Sequence, residues 1–528
     1  MFHFWTTIST RGTRLPCGAK AHGSGRQIAE RTAAAGAKLA GDRAAHFPSD
    51  LPEQMPLLPP RHALIPMIIA CALFMENLDS TVIATALPVI AKSLGENPLR
   101  LNLAITSYLL SLAVFIPLSG WMADRFGART VFRSAILVFT IGSVCCALVH
   151  TLPELVLARV LQGLGGAMMT PVGRLVILRT IPKADLVNAM AYLTVPALIG
   201  PVFGPPLGGF IVTYWSWRWI FLINVPIGVL GMVLATVFIE NTREQDLWKF
   251  DLAGFLMTGI GLAGLVFGFE AVGRGVLPSW IVATLLGGGI GCLVIYALHA
   301  RMTPQPIVDL TLFRIPTFRA AILGGSLFRM SIGALPFLLP LMLQLGFGLS
   351  AFHSGLLTFA SAAGAMTMKF TAGPIIRLFG YRRVLLANTV ISAGFLMSYS
   401  LFQPTTPHMV IFLGLLAGGF FRSLQFTCTN TLSYANVGAP QMSRATTISS
   451  MAQQLSVSFG VGAGALMLHV TLALHGGESL TAGDFAPAFL GVGLFALLPL
   501  TFFVPLGAQA GAELSGRKAA AERQQPAE

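Results

Sequence analysis

Charge is what this chain has least of. Asp, Glu, Lys and Arg together make up 10% of its 528 residues, against 54% apolar, where a soluble domain carries about 25% charged residues. Scarcity on that scale excludes a single water-soluble core and makes the bilayer the solvent of this protein. Cysteine is too sparse for a framework. Five of the six (Cys71, Cys145, Cys146, Cys292, Cys428) sit in apolar runs, the sixth is Cys17, and none has metal-ligand spacing. A disulfide or zinc scaffold is therefore not expected, nor any metal. Short alternating strands are missing, which excludes an outer-membrane barrel. With no phosphate loop, metal cluster or nucleophile motif, an enzyme is the least favoured class. The net charge of +13 implies no nucleic-acid partner, because the basic residues are strung through short turns rather than gathered on one face.

What is present is apolar length. A membrane-crossing helix needs about 20 mostly apolar residues, and backbone in lipid must satisfy itself, which leaves helices. Fourteen runs qualify, near 64–91, 101–122, 131–150, 154–178, 187–213, 217–239, 252–272, 279–299, 318–345, 354–376, 383–402, 408–432, 443–470 and 485–507. Alternate turns hold most of the Arg and Lys, and Arg517, Lys518 and Arg523 follow the last run. This positive-inside pattern places both termini in the cytoplasm. The expected divisions are a disordered cytoplasmic tail at 1–62, a six-helix bundle at 63–239, two inserted helices with linkers at 240–317, a second six-helix bundle at 318–508 and a cytoplasmic tail at 509–528. Translation from Met55 would begin just before the first run.

One polar turn appears twice. GWMADRFGARTV (Gly120–Val131) returns as GPIIRLFGYRRV (Gly373–Val384), an offset of 373 − 120 = 253, with glycines first and eighth and arginine tenth in both. The same offset carries Gly165–Gly166 onto Gly418–Gly419 and the first run onto the ninth. Two six-helix halves related as parallel repeats are a transporter plan, with the substrate site between halves near the midplane.

Taken together, these motifs resemble the major facilitator superfamily, in its fourteen-span drug:proton antiporter branch. The resemblance covers about 62–508 and implies a polytopic all-α fold of two six-helix bundles plus two inserted helices. LDSTVIATALP (Leu78–Pro88) resembles the branch signature. Glu76 and Asp79, three residues apart, share a helical face; a carboxylate there can take up and release a proton. Asp79 is the expected proton-coupling or cation-sensing group; the alternative is a structural carboxylate paired with an arginine. In the first hairpin the family pattern falls on Gly120, Asp124, Arg125, Gly127 and Arg129, with Ala128 where another basic residue is common. The resemblance implies that Asp124 docks on a helix start in one conformation, near Ser443 and Arg444, and releases it in the other; a plain topology-setting turn is the alternative. Arg377 replaces Asp124 in the second copy.

ARVLQGLGGAM holds Arg159, Gln162, Gly163 and Gly166 on one face by spacing. Arg159 must be paired or wet, and the resemblance makes it a tuner of the proton carrier, with a direct pair to Asp79 one arrangement and a static ion pair the alternative. IGPVFGPPLGG (Ile199–Gly209) spaces Gly200, Gly204 and Gly208 every four residues, a smooth face for helix contact. The antiporter glycine-proline motif is matched by Gly204, Pro205, Gly208 and Gly209, which favours export over uptake. WRWIFLINVPIG (Trp217–Gly228) reads as structural. The second half has no acid well inside its first five spans but carries Arg329 and Arg422. Arg422 and Gln425 share a face, and with Gln162, Gly163 and Arg329 they form the expected substrate cavity. Glu270 in the inserted pair has no expected transport role.

The expectation is a proton-coupled efflux transporter: protons and a small molecule as partners, the lipid bilayer as surroundings, a monomer, no cofactor, and the cytoplasmic (inner) membrane as its place. A dedicated exporter of an anionic metabolite or chelate and a non-transporting sensor or scaffold are the alternatives.

Overall fold

In a computed structural model, the described residues are 61–181, 186–241, 250–272, 277–438, 441–475, 480–507 and 509–511, with side chains left out at 61–63, 178, 186–198, 443 and 475. The expected tail at 1–62 thus lies almost wholly outside the described residues, as does most of 509–528.

Helices form where the apolar runs are, and polar residues end them. The first half comprises α1 (Arg61–Leu94), α2 (Asn102–Phe126), α3 (Ala128–Leu148), α4 (Leu152–Thr180), α5 (Leu186–Tyr214) and α6 (Asn224–Phe238), the last preceded by a helical turn at Trp219–Leu222. The inserted pair is α7 (Leu252–Ala271) and α8 (Ser279–Met302). The second half comprises α9 (Pro316–Gly333, continued by Leu335–Leu341), α10 (Ala351–Phe379), α11 (Tyr381–Ser398), α12 (His408–Leu432), α13 (Met442–His475) and α14 (Ala482–Phe495). Twelve helices of the described residues are long and apolar enough to cross a membrane, and two more of 29 residues, α5 and α10, pack among them. No strand occurs among the described residues.

Caps fix the boundaries. Thr151 and Glu154 form a reciprocal capping box at the start of α4, and Thr481 with Asp484 does the same for α14, each satisfying two orphan N–H groups. The repeated hairpin is also repeated geometry. Gly127 (φ 93°) divides α2 from α3, and Gly380 (φ 77°) divides α10 from α11. Both sit in the left-handed region that favours glycine, so the chain reverses without a loop.

The two halves share one compact unit, Pro59–Glu528, rather than standing as separate bodies. The seams between them are α5 against α10 and α2 against α13. On the side away from the Gly127 and Gly380 hairpins, a Cβ on Gly209 would run into the Ala351 carbonyl, and one on Gly355 into the Pro205 carbonyl. Phe352 N donates to Thr213 Oγ1 at 3.1 Å, and Gln344 Nε2 donates to the Thr85 carbonyl at 3.0 Å. The halves are therefore in backbone contact at this far side.

Candidate functional site

The densest polar cluster of the first half is built around a charge that cannot be discharged. Arginine stays protonated in proteins, and Arg159 on α4 is fully buried, so it needs a carboxylate and further acceptors. Its Nη1 donates to Asp79 Oδ2 at 2.5 Å and to Gln162 Oε1 at 2.6 Å. Its Nε donates to the Ala104 carbonyl at 3.0 Å, and the guanidinium lies 4.1 Å from the Tyr108 ring centroid. Asp79 Oδ1 accepts from Gln162 Nε2 at 2.8 Å and from Asn224 Nδ2 at 2.9 Å. Ser143 Oγ accepts from both amides, at 2.7 and 3.1 Å. Helices α1, α2, α3, α4 and α6 each contribute, so the cluster pins most of the first bundle. The Arg159–Asp79 pair left open by spacing is formed. Ser143 and Asn224 were missed. Asn224 lies in the stretch read as structural, and its one signal was an amide inside an apolar run.

Glu76 lies one turn back along α1 and is bound differently. Its Oε2 accepts from Thr170 Oγ1 at 3.0 Å. Asp79 thus accepts from three side-chain donors, whereas the bond described for Glu76 comes from one hydroxyl.

In the hairpin, Asp124 Oδ1 accepts from Arg179 Nη2 at 2.8 Å, joining the end of α2 to that of α4. The expected receiver at the start of α13 is not its partner here. Arg444 pairs instead with Asp309 Oδ2 at 3.0 Å, because the linker before α9 brings a nearer carboxylate. Arg125 lies 5.7 Å from the Trp121 ring centroid and 5.9 Å from that of Phe126. Arg129 Nη1 donates to the Ile239 carbonyl at 3.4 Å. Gly120 has open space where a Cβ would go, while at Gly127 a Cβ would strike Asn241.

The glycine stripe of α5 does two jobs. Gly200, Gly204 and Gly208 lie against α1 at Leu78, Thr81 and Thr85, while Gly209 faces α10. Between the halves lies a cavity of about 490 Å³. Ser80, Thr81 and Thr85 of α1, Pro205 of α5, and Lys369 and Arg422 of the second half are among its lining residues. On α10 the lining begins at Thr358 and runs to Lys369, away from the closed far side and toward the hairpin side.

Of the five residues expected to line it, only Arg422 does so. Gln162 belongs to the Asp79 cluster. Gly163 is a packing position against the Tyr108 carbonyl and Ser111. Arg329 is buried behind the wall, where its Nη2 donates to Asn430 Oδ1 at 2.5 Å. Gln425 is buried against α11, bonded to Asn388 at 2.9 Å and Thr389 at 2.8 Å. The helical period gave shared faces correctly but could not say which neighbour each face meets. Lys369 of α10 also lines the cavity.

Glu270, for which no transport role is expected, lies at the end of α7. It is buried at the α2–α13 seam, where Oε2 accepts from Asn102 Nδ2 at 2.5 Å and the side chain lies against Gly462 of α13. The inserted α7 thus reaches the contact between the two halves.

This arrangement has known relatives. The family model of the Major Facilitator Superfamily matches residues 69–461 and 321–523. The chain is 41% identical over 458 residues to the "Putative multidrug resistance protein MdtD" of Salmonella heidelberg (strain SL476), covering 85% of this chain and 97% of that protein. The like-named protein of Salmonella paratyphi A (strain ATCC 9150 / SARB42) is 40% identical over the same length. Among solved structures, a D-xylose-proton symporter superposes with a TM-score of 0.58 at 16% identity, covering 82% of this chain and 97% of its own. A bacterial homolog to the human lysosomal transporter Spinster, inward-facing and unoccupied, gives 0.55 at 18% identity, covering 89% and 100%. These two speak to the fold alone.

Proposed function

The chain belongs to the major facilitator superfamily, a family of multi-pass membrane transporters, and we propose that this member is a proton-coupled exporter of small amphiphilic molecules. In this reading it sits in the cytoplasmic membrane as a monomer, with the hairpins and both termini in the cytoplasm. It makes no bonds in its cargo and uses no cofactor. The multidrug-resistance names of the Salmonella relatives support the drug-efflux part. The observation that carries the proton part is the pair of buried carboxylates, Glu76 and Asp79, on the helix that also lines the cavity. Intramembrane carboxylates are costly, and they mark proton and substrate paths.

The two carboxylates differ in what a proton would disturb. Protonating Asp79 breaks an ion pair and competes with two amide donors, leaving Arg159 without its anion. Protonating Glu76 disturbs one hydroxyl bond and the longer-range attraction of Arg174. Glu76 is therefore assigned the exchanging proton, and the Asp79–Arg159 pair the fixed frame beside it. The next links are mechanical. α1 carries Thr81 and Thr85 to the cavity and packs on α5, whose Gly209 forms the far-side seam. With the hairpins cytoplasmic, the cavity extends toward the cytoplasm and the far side is closed, a state suited to loading cargo. Each ligand shifts the balance of states only by its differential affinity for them. One proton descending about 100 mV supplies about 2.3 kcal/mol.

The test is reconstitution in liposomes holding a pH-sensitive dye, with an imposed proton gradient and a panel of cationic drugs and organic anions. A panel member should elicit proton flux in the wild type, and Glu76→Gln should lose that flux while keeping its melting temperature. Flux from Glu76→Gln equal to the wild type removes Glu76 from the proton path. Wild-type protein that moves no proton with any cargo removes the coupling.

A further inference from the structure

The cavity's charge is of one sign. Lys369 and Arg422 are the only ionisable side chains among the described residues that line it. The bias extends along α9 to α13, since no Asp or Glu occurs between Asp309 and Glu478. Nothing on α9 to α13 can therefore neutralise either cation. Arg422 Nη2 donates to Ser361 Oγ at 2.9 Å, and Lys369 Nζ to Thr427 Oγ1 at 3.1 Å. Hydroxyls satisfy these donors and cancel none of their charge. A third cation, Arg329, stands behind the wall, 5.7 Å from the ring of Phe426, itself a lining residue.

The pair also breaks the repeat. Positions 422 − 253 = 169 and 369 − 253 = 116 hold Met169 and Ile116, while 79 + 253 = 332 and 159 + 253 = 412 hold Ile332 and Phe412. The first half keeps Asp79 buried against an arginine, and the second half turns cations without a carboxylate partner toward the cavity. Charges at membrane depth are paired with one another or mark a substrate path, and these two have no carboxylate partner among the described residues. On α10, Ser361, the partner of Arg422, and Lys369 are eight residues apart, about 12 Å of helical rise. The cations thus stand at two depths of one wall. Much of the remaining lining is apolar, including Leu339, Met366, Phe426 and Val457, and the volume of about 490 Å³ suits a drug-sized ligand.

We infer that the molecule this cavity takes is a small amphiphilic organic anion, its acidic group held by Arg422 and Lys369 and its apolar body laid against Met366 and Phe426. Calling that molecule the exported cargo rests on the export reading above; its binding does not.

Three probes of one shape and different charge test this: 2-naphthoate, 2-naphthamide and 2-naphthylmethylammonium. Binding to the full chain in detergent is measured by titration calorimetry. Naphthoate should bind at least tenfold tighter than the amide or the cation. Arg422→Gln and Lys369→Gln should each weaken naphthoate at least tenfold and shift the amide less than twofold, and Arg422→Lys should recover most of the loss. Melting curves confirm that each variant is folded, and Lys369, being exposed, gives a variant that folds if Arg422→Gln does not. Equal affinity for the three probes, no binding of naphthoate, or naphthoate binding unchanged in both Gln variants overturns the inference. Export from proteoliposomes separates the two readings. If the cation is exported and naphthoate is not, the anion inference falls and export stands. If naphthoate binds through Arg422 and none of the three is exported, the inference stands and export falls.

Discussion

A permanent positive charge placed where there is no water dictates what surrounds it, and Arg159 illustrates this at the scale of single residues. Its ion pair with Asp79 is worth little as a net gain, because desolvating both partners offsets most of their attraction. Removing one partner is another matter. Asp79→Ala leaves Arg159 buried without an anion and should cost about 3–5 kcal/mol, read as a lower melting temperature in detergent. Adding Arg159→Leu to it should restore part of the loss, with a coupling of about 0.5–3 kcal/mol. Strictly additive losses would mean that the pair is not the unit described here. The same residues mark how far the sequence could be read. Asp79, Arg159 and Gln162 stood out as polar groups in apolar runs, and their spacing put them on usable faces. Ser143 and Asn224 did not stand out in that way, because a lone hydroxyl or amide is tolerated in many helices. What makes these two part of the site is the packing of α3 and α6 against α1, which local periodicity does not encode. Arg422 and Arg329 looked equivalent in sequence, yet only one faces the cavity.

At the scale of elements, backbone contacts decide which helix pairs can part. Gly355 of α10 lies against the Pro205 carbonyl with Pro206 Cα 3.1 Å from where a Cβ would go, so Gly355→Ala cannot be absorbed by a side-chain rotation. Overpacking of this kind costs about 1–3 kcal/mol. That cost falls on the closed far side alone, so opening should become about 5–150-fold more favourable. A single cysteine placed near Phe352 in a cysteine-free background should react correspondingly faster with a membrane-impermeant maleimide, and an unchanged labelling rate would dispose of the seam. The linker before α9 makes a contrasting contact. Asp309 is buried, which by itself would raise its pKa, but the hydrogen bonds from Thr311 and Arg444 outweigh burial and hold the carboxyl below its ordinary value of 3.8. A depressed carboxylate contributes stability above its unfolded pKa and loses it as pH falls through the folded one. Between pH 6 and 8 this contact should therefore be constant. Asp309→Asn should melt slightly lower there, by about 0.2–1 kcal/mol given the exposure of Arg444. The gap between variant and wild type should close only below about pH 4; a gap that narrows between pH 8 and 6 would contradict the assignment.

For the molecule as a whole, the repeat was legible and its asymmetry was only half legible. The offset of 253 put two hairpins, two glycine pairs and two sets of six runs in register, and Gly127 and Gly380 carry it into backbone geometry. The inserted pair lies outside the repeat, which gives Glu270 no expected transport role, yet Glu270 brings α7 to the α2–α13 seam. No pattern within one span predicts that, because the seam exists only once the halves meet. The functional consequence is that one closed face, at Gly209, Thr213, Ala351 and Phe352, separates the cavity from the far side. An exporter must open this face in every cycle. Thr213 and Phe352 meet across it, with Phe352 N 3.1 Å from Thr213 Oγ1, and neither lines the cavity. Replacing both by cysteine in a background free of the native cysteines, and oxidising, should tie the halves at that face. Export should then fall at least tenfold and return on reduction. Probe binding from the hairpin side should persist, because the bridge holds the halves as they already stand. Export that continues at full rate through a quantitatively formed bridge would mean that cargo leaves by another route, and alternating access at this seam would have to be given up.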